Sequence, residues 1–120
     1  MNTIKFKRVI LESPYKGNIQ RNLEYGRRAL RDSLSRGEAP IASHLLYTQE
    51  GVLNDDIQDE RKWGIDAGLS WKEVADIHVF YIDYGISQGM TYGMDYAKSH
   101  NIIIEMRKIG ENTSINNQKN

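Results

Sequence analysis

The stretch "IHVFYIDYGISQGMTYGMDYA", Ile77 to Ala97, sets a β-branched and aromatic run against a helical period, with Gly85, Gly89 and Gly93 along the way. Its first six residues suit a strand buried on both faces. Beyond them Ser87 is placed to cap a helix, and Met90, Gly93, Met94 and Ala97 recur on one face of it. A strand that passes through a glycine-rich loop into a helix is half of a parallel crossover, so the segment predicts an α/β fold. Gly85 and Gly89, lacking side chains, would also let a ligand approach the backbone where a helix N-terminus offers free amides, and an anion fits there. The plainer reading is a tight turn with close helix packing.

Working outward, "IKFKRVILE" alternates and then becomes continuously apolar, which suits a strand entering a sheet. It stops at "SPYKGN". From Asn18 to Arg36, Ile19, Leu23, Gly26, Leu30 and Leu34 keep helical spacing, with Asn18 as cap and Gly37 as terminator. "APIASHLLY" reads as a second strand ending near Ser43 and His44. Asn54 or Asp55 would cap a helix running to about Gly68, and "SWKE" has capping-box form through Ser70 and Glu73. "NIIIEM" reads as the final strand. Strands separated by helices imply right-handed crossovers, hence a Rossmann-like parallel sheet of about four to five strands with helices on both faces. Residues 1–109 are expected to form one domain, and the polar tail of residues 110–120 to be disordered.

Composition narrows the function. The chain has 120 residues, 39% hydrophobic, enough for one domain with a substantial core. Sixteen basic and sixteen acidic side chains cancel, so no global field draws in duplex nucleic acid or an anionic membrane. Cysteine is absent, which excludes disulfides and thiolate chemistry. No run approaches the roughly 20 apolar residues of a membrane span. The expectation is a soluble, cytoplasmic protein without metal or cofactor.

In open parallel sheets, ligands bind beyond the carboxyl ends of the strands where the strand order reverses. That rule selects "SPYKGN", "SHLLY" and "DYGISQGM". Ser13, Pro14, Tyr15, Gly17 and Asn18 form a second candidate cradle, with Arg21 either clamping a phosphate or simply solvated. His44 could hydrogen-bond a sugar or base, or be satisfied locally. Tyr84 could stack on a base, and Gly85, Ser87, Gly89 and Met90 complete the candidate ligand set. Glu12, Asp66, Asp76 and Asp83 are the acidic candidates, with Asp83 best placed. Asp55, Asp56, Asp59 and Glu60 read as surface charges complementing a helix dipole. His78 and His100 lack partners at metal-ligand spacing.

"SPYKGN" after the first strand, "WKEVAD" before the third and "SQGM" opening the last helix occur in an order that resembles the nucleoside 2-deoxyribosyltransferase-like superfamily. The resemblance spans about Val9 to Glu105 and takes in deoxynucleoside 5'-monophosphate N-glycosidases and small phage and bacterial proteins. It implies a nucleotide pocket at the strand ends and a homodimer or larger homo-oligomer. It also implies a binding loop at Ser87 and Gly89, followed one turn later by a nucleophilic glutamate. That position is Gly93, and the family's aspartate before "WKEVAD" falls on Gly68, with Asp66 nearby. The resulting expectation is a nucleotide-binding protein without catalysis, such as a phage-type sponge that sequesters a cyclic dinucleotide or ADP-ribose immune signal. The alternative is an N-glycosidase or deoxyribosyltransferase using a displaced carboxylate, Asp83 or Asp66.

Overall fold

The computed structural model describes residues 6–111. Four strands, β1 (Lys7–Glu12), β2 (Glu38–Ile41), β3 (Ile77–Tyr81) and β4 (Ile104–Arg107), form one all-parallel sheet in the order β2-β1-β3-β4. Helix α1 (Ile19–Ser35) links β1 to β2, and α4 (Gln88–Ser99) links β3 to β4. Between β2 and β3 lie a single turn α2 (Ser43–Leu46), α3 (Gln58–Leu69) and a 3-10 turn (Ser70–Val74). The chain leaves β1 toward β2 and returns on the other side of β1 as β3, so the reversal of strand order falls between the two central strands. The expected tail beyond Glu111 lies outside the described residues.

The period of two along the central strands divides the core. Val9 and Leu11 of β1 join Ile77, Val79 and Tyr81 of β3 against Tyr25 and Ala29 of α1. The alternate residue Phe80 packs on Met90 and Met94 of α4, on the opposite face. Fully burying such side chains contributes roughly 1.5–3 kcal/mol each, so these two clusters outweigh any single cap in fixing the fold. Glu12 shares the face of Ile10, and His78 that of Phe80. Two polar residues are thereby committed to the α4 side of the sheet.

Helix ends follow their local chemistry. Asn18 caps α1 through its side chain, and Ser87 caps α4 by accepting from the Met90 amide at 3.2 Å. Helix α4 closes in a Schellman pattern: the Ile102 amide donates to the Ala97 carbonyl and that of Asn101 to Lys98, with Asn101 at φ 56°. This closure costs the last strand its expected first three residues: Asn101 and Ile102 turn the chain, and Ile103 joins the sheet only through its carbonyl, which accepts from the His78 amide at 2.9 Å.

Three local expectations are corrected. The second strand ends at Ile41, and Ser43 to Leu46 form a helical turn in which Leu45 packs against Gly26. Helix α3 starts at Gln58 after an extended Ile57 without a side-chain cap. Asn54 instead accepts from the Asp56 amide at 2.9 Å in an Asx turn. Ser70 caps no helix start: its hydroxyl donates back to the Ala67 carbonyl at 2.7 Å, closing α3.

Candidate functional site

A cavity of about 230 Å³ opens at the carboxyl ends of the strands. Its floor carries Ile10 and Glu12 from β1, one wall Ser13, Tyr15 and Lys16 from the first loop, and another Ser87, Gln88 and Gly89 from the start of α4. The α2 turn brings in Ser43 and His44, and α3 contributes Arg61 and Gly68. Each contribution has a local cause. The first loop is held by Asn22, buried in α1, whose side-chain amide donates to the carbonyls of Tyr15 and Lys16 at 2.9 and 3.0 Å. The third loop turns at Gly85, whose φ of 85° suits glycine, and its amide donates to the Ile82 carbonyl at 2.9 Å.

Gly68 admits α3 to this wall. A Cβ there would stand 2.6 Å from Ser43 Cβ, so only hydrogen fits between α3 and α2. Gly68→Ala is expected to destabilise the protein by about 1–3 kcal/mol through overpacking. An unchanged urea midpoint would contradict this packing.

Of the sequence candidates, Glu12, Ser13, Tyr15, His44, Ser87, Gly89 and Met90 line the cavity, as do the family-matched positions Gly68 and Gly93. The others do not line it. Arg21 stacks on the Tyr84 ring, its guanidinium 4.2 Å from the centroid, and donates to Asn22 Oδ1, so both side chains serve to join the first and third loops. Tyr84 also meets Tyr25 edge-on. Asp83 accepts from the Tyr25 hydroxyl and the Ile109 amide, which ties the exits of β3 and β4 to α1. Asp66 is exposed and paired with Lys62 at 2.7 Å. Pro14, Gly17, Asn18 and Gly85 shape the loops without facing the cavity. Conversely, Asp55 and Glu60, read from sequence as surface charges, lie on its wall beside Arg61, which reaches Asp55 at 3.7 Å.

Two polar clusters lie at the cavity, one at its rim and one beneath it. Ser13 Oγ and His44 Nε2 lie 2.7 Å apart. Burial lowers the His44 pKa against the opposing charge of Glu12, which keeps the ring neutral and able to accept from Ser13. Deeper in, His78 Nε2 stands 3.1 Å from Glu12 Oε2, and Lys72 Nζ meets the same ring at both nitrogens, 3.0 Å from Nε2. Burial lowers both His78 and Lys72, the latter to about 8, while Glu12 opposes each shift.

Sequence reasoning noted Glu12 and His78 singly and missed Lys72. Strand parity was the available signal for the first two. Nothing in "SWKEV" betrays that its lysine turns inward.

Position 93 lies directly against Glu12 and His78. A Cβ built there would fall 2.6 Å from Glu12 Oε2 and 3.3 Å from His78 Cε1. The glycine therefore leaves no acid-free gap. The carboxylate of Glu12 stands in the volume that a side chain from α4 would otherwise fill.

Fold and site together define a small parallel α/β protein with a polar-edged cavity at its topological switch point. The model of a domain of unknown function, DUF7768, matches residues 7–107, from the first residue of β1 to the last of β4, and the chain belongs to that family. No curated protein matches the chain. Among the described residues no helix is long and apolar enough to cross a membrane, and no cluster of three or more His, Asp or Glu side chains could hold a metal ion.

Proposed function

We propose that the protein binds a nucleotide-type small molecule in the cavity at the carboxyl ends of β1 and β3. The observation that carries this reading is the convergence of the Ser13 loop, His44 and the α4 N-terminus on one cavity at the switch point. The first turn of α4 supplies amides for a phosphate, and Lys16 and Arg61 stand on the same walls. Tyr15 and Leu53 offer surface for a base or sugar.

Both functions raised by the sequence, a nucleotide sponge and a glycosidase or deoxyribosyltransferase, share this ligand class. They differ on whether a carboxylate reaches the sugar. The sponge reading rested on an empty position 93, and Glu12 fills that space from β1, which favours glycosidic chemistry.

Thermal unfolding with nucleoside monophosphates, cyclic dinucleotides and ADP-ribose tests the binding reading. A ligand at about a hundredfold over its Kd adds about 2.7 kcal/mol, which for a domain of this size raises Tm by roughly 10 °C or more. A flat response to all of these compounds would overturn it.

A further inference from the structure

Ser13 follows β1 and His44 stands on the α2 turn, and Ser13 Oγ lies 2.7 Å from His44 Nε2 where both line the cavity. Neither segment needs this bond to keep its place. The first loop is already held by Asn22 through the carbonyls of Tyr15 and Lys16, and α2 is fixed by Leu45 against Gly26 and by Ser43 against Gly68. Thr48 Oγ1 donates to the His44 carbonyl at 2.5 Å, which closes that turn and sets the backbone beneath the ring. Two independent supports deliver a hydroxyl and an imidazole to one point.

The pair is also in the protonation state that nucleophilic chemistry requires. Burial keeps the His44 ring neutral, so Nε2 accepts from the Ser13 hydroxyl and the ring proton sits on Nδ1. A serine is a weak nucleophile until a base within hydrogen-bond reach takes its proton, and 2.7 Å is inside that reach. Glu12 of β1 opposes the effect of burial on His44, so its charge favours the imidazolium that such a transfer creates.

On another wall of the cavity, Gln88 and Gly89 begin α4. Their amides have no intrahelical acceptor, whereas that of Met90 is taken by Ser87 Oγ. Donors of this kind can hold an oxygen on which negative charge develops. Ile10, Leu53, Ile65 and Leu69 give apolar lining within about 230 Å³, which is room for a short acyl chain.

We propose that Ser13 and His44 are the nucleophile and general base of a site that cleaves short-chain carboxylic esters, with the Gln88 and Gly89 amides facing the developing oxyanion. This activity goes beyond nucleotide binding and does not depend on it. In the first step Ser13 Oγ bonds to the ester carbonyl carbon while His44 Nε2 takes the hydroxyl proton. The bond from that carbon to the alcohol oxygen then breaks, and its electron pair leaves with the alcohol, which takes the proton from Nε2. Water attacks the acyl-serine and gives its proton to Nε2 as the acyl bond to Oγ breaks. That proton returns to Oγ. Ester and water have become carboxylic acid and alcohol, and both side chains are restored.

The test treats the full chain with diisopropyl fluorophosphate, which bonds through phosphorus to an activated serine as fluoride leaves, and separately with p-nitrophenyl acetate. One adduct is expected, mapped to Ser13 by peptide mass and absent when the protein is unfolded in urea beforehand. Release of p-nitrophenol is expected to fall roughly a hundredfold or more in Ser13→Ala and in His44→Gln. His44→Ala is expected to regain part of its turnover when imidazole is added, a response that a purely structural histidine would not give. No adduct on Ser13 in the folded, unaltered protein overturns the proposal, and that measurement requires no variant to fold. Unchanged ester turnover in Ser13→Ala overturns it as well. Nucleotide stabilisation of a protein that takes no adduct removes the Ser13 and His44 chemistry and leaves the binding reading intact.

Discussion

Replacing Arg107 with methionine is expected to lower the unfolding free energy by about 3–5 kcal/mol, the cost of leaving a buried charge without its partner. Arg107 is 3% exposed and its guanidinium donates in parallel to Glu38, Nη1 to Oε1 at 2.8 Å and Nη2 to Oε2 at 3.0 Å. It also donates to the Tyr81 hydroxyl at 3.1 Å and to Glu105 at 2.8 Å. Ser33 of α1 gives Glu38 a third donor at 2.7 Å, and Tyr81 passes the connection on to Asp32. One side chain thus links β4, β3, β2 and α1. Methionine of similar length keeps the apolar contacts, so the loss reads the stranded Glu38 carboxylate. Burial pushes Glu38 up, but Arg107 and Ser33 more than offset it and hold the group below its ordinary value. The same holds for Asp32, where the Tyr81 hydroxyl, the Gly110 amide and Arg36 overcome burial. A depressed carboxylate contributes stability above the ordinary carboxylate range and loses it as pH falls through the folded pKa. The unaltered protein should therefore weaken in acid, and Arg107→Met should weaken less steeply. Urea unfolding measured against pH checks both statements, and an Arg107→Met unfolding free energy within about 0.5 kcal/mol of the original would show that the network is not structural.

Much of this arrangement was legible because strand physics is local. The run from Ile77 to Tyr81 is apolar enough to demand cover on both faces, and the helical period after Ser87 supplies one cover. The capping residues Asn18 and Ser87 were readable for the same reason, since a cap depends on its own next three residues. What failed depended on distant contacts. Ser43 to Leu46 has the apolar content of a strand, yet Leu45 finds Gly26 of α1 and the segment coils to meet it. The candidate site divides along the same line. Ser13, His44 and Ser87 sit at strand and helix ends, where the switch-point rule looks. Asp83 sits there too, but Tyr25, far away in sequence, claims its carboxylate. Lys72 was illegible because its inward turn is decided by His78 and Glu12, and Gly93 was misleading because a missing side chain in sequence is not a missing charge in space.

Raising the pH from about 7 to about 10 is expected to stabilise the protein relative to Lys72→Met by about 2–3 kcal/mol. The sign follows from where the proton sits. Burial holds the folded Lys72 pKa near 8, against an ordinary value of 10.5, so between these values the unfolded chain binds more protons than the folded one. Stability must then rise with pH across that interval, and below about 8 the full penalty of the buried ammonium is present. Near neutral pH, Lys72→Met should accordingly unfold at a higher temperature than the original, even though it removes the contact of the ammonium with the His78 ring. Tyr25 and Tyr81 act in the opposite direction at the upper end. Burial raises both hydroxyls, and the stability they contribute is lost as pH climbs past the ordinary tyrosine range near 10. Both proteins share that loss, so their difference isolates the lysine. Parallel stability curves for the two proteins between pH 7 and 10 would show that Lys72 keeps an ordinary proton affinity. Converging curves would mean that the protein gives up stability near neutral pH to keep a buried ammonium against the His78 ring.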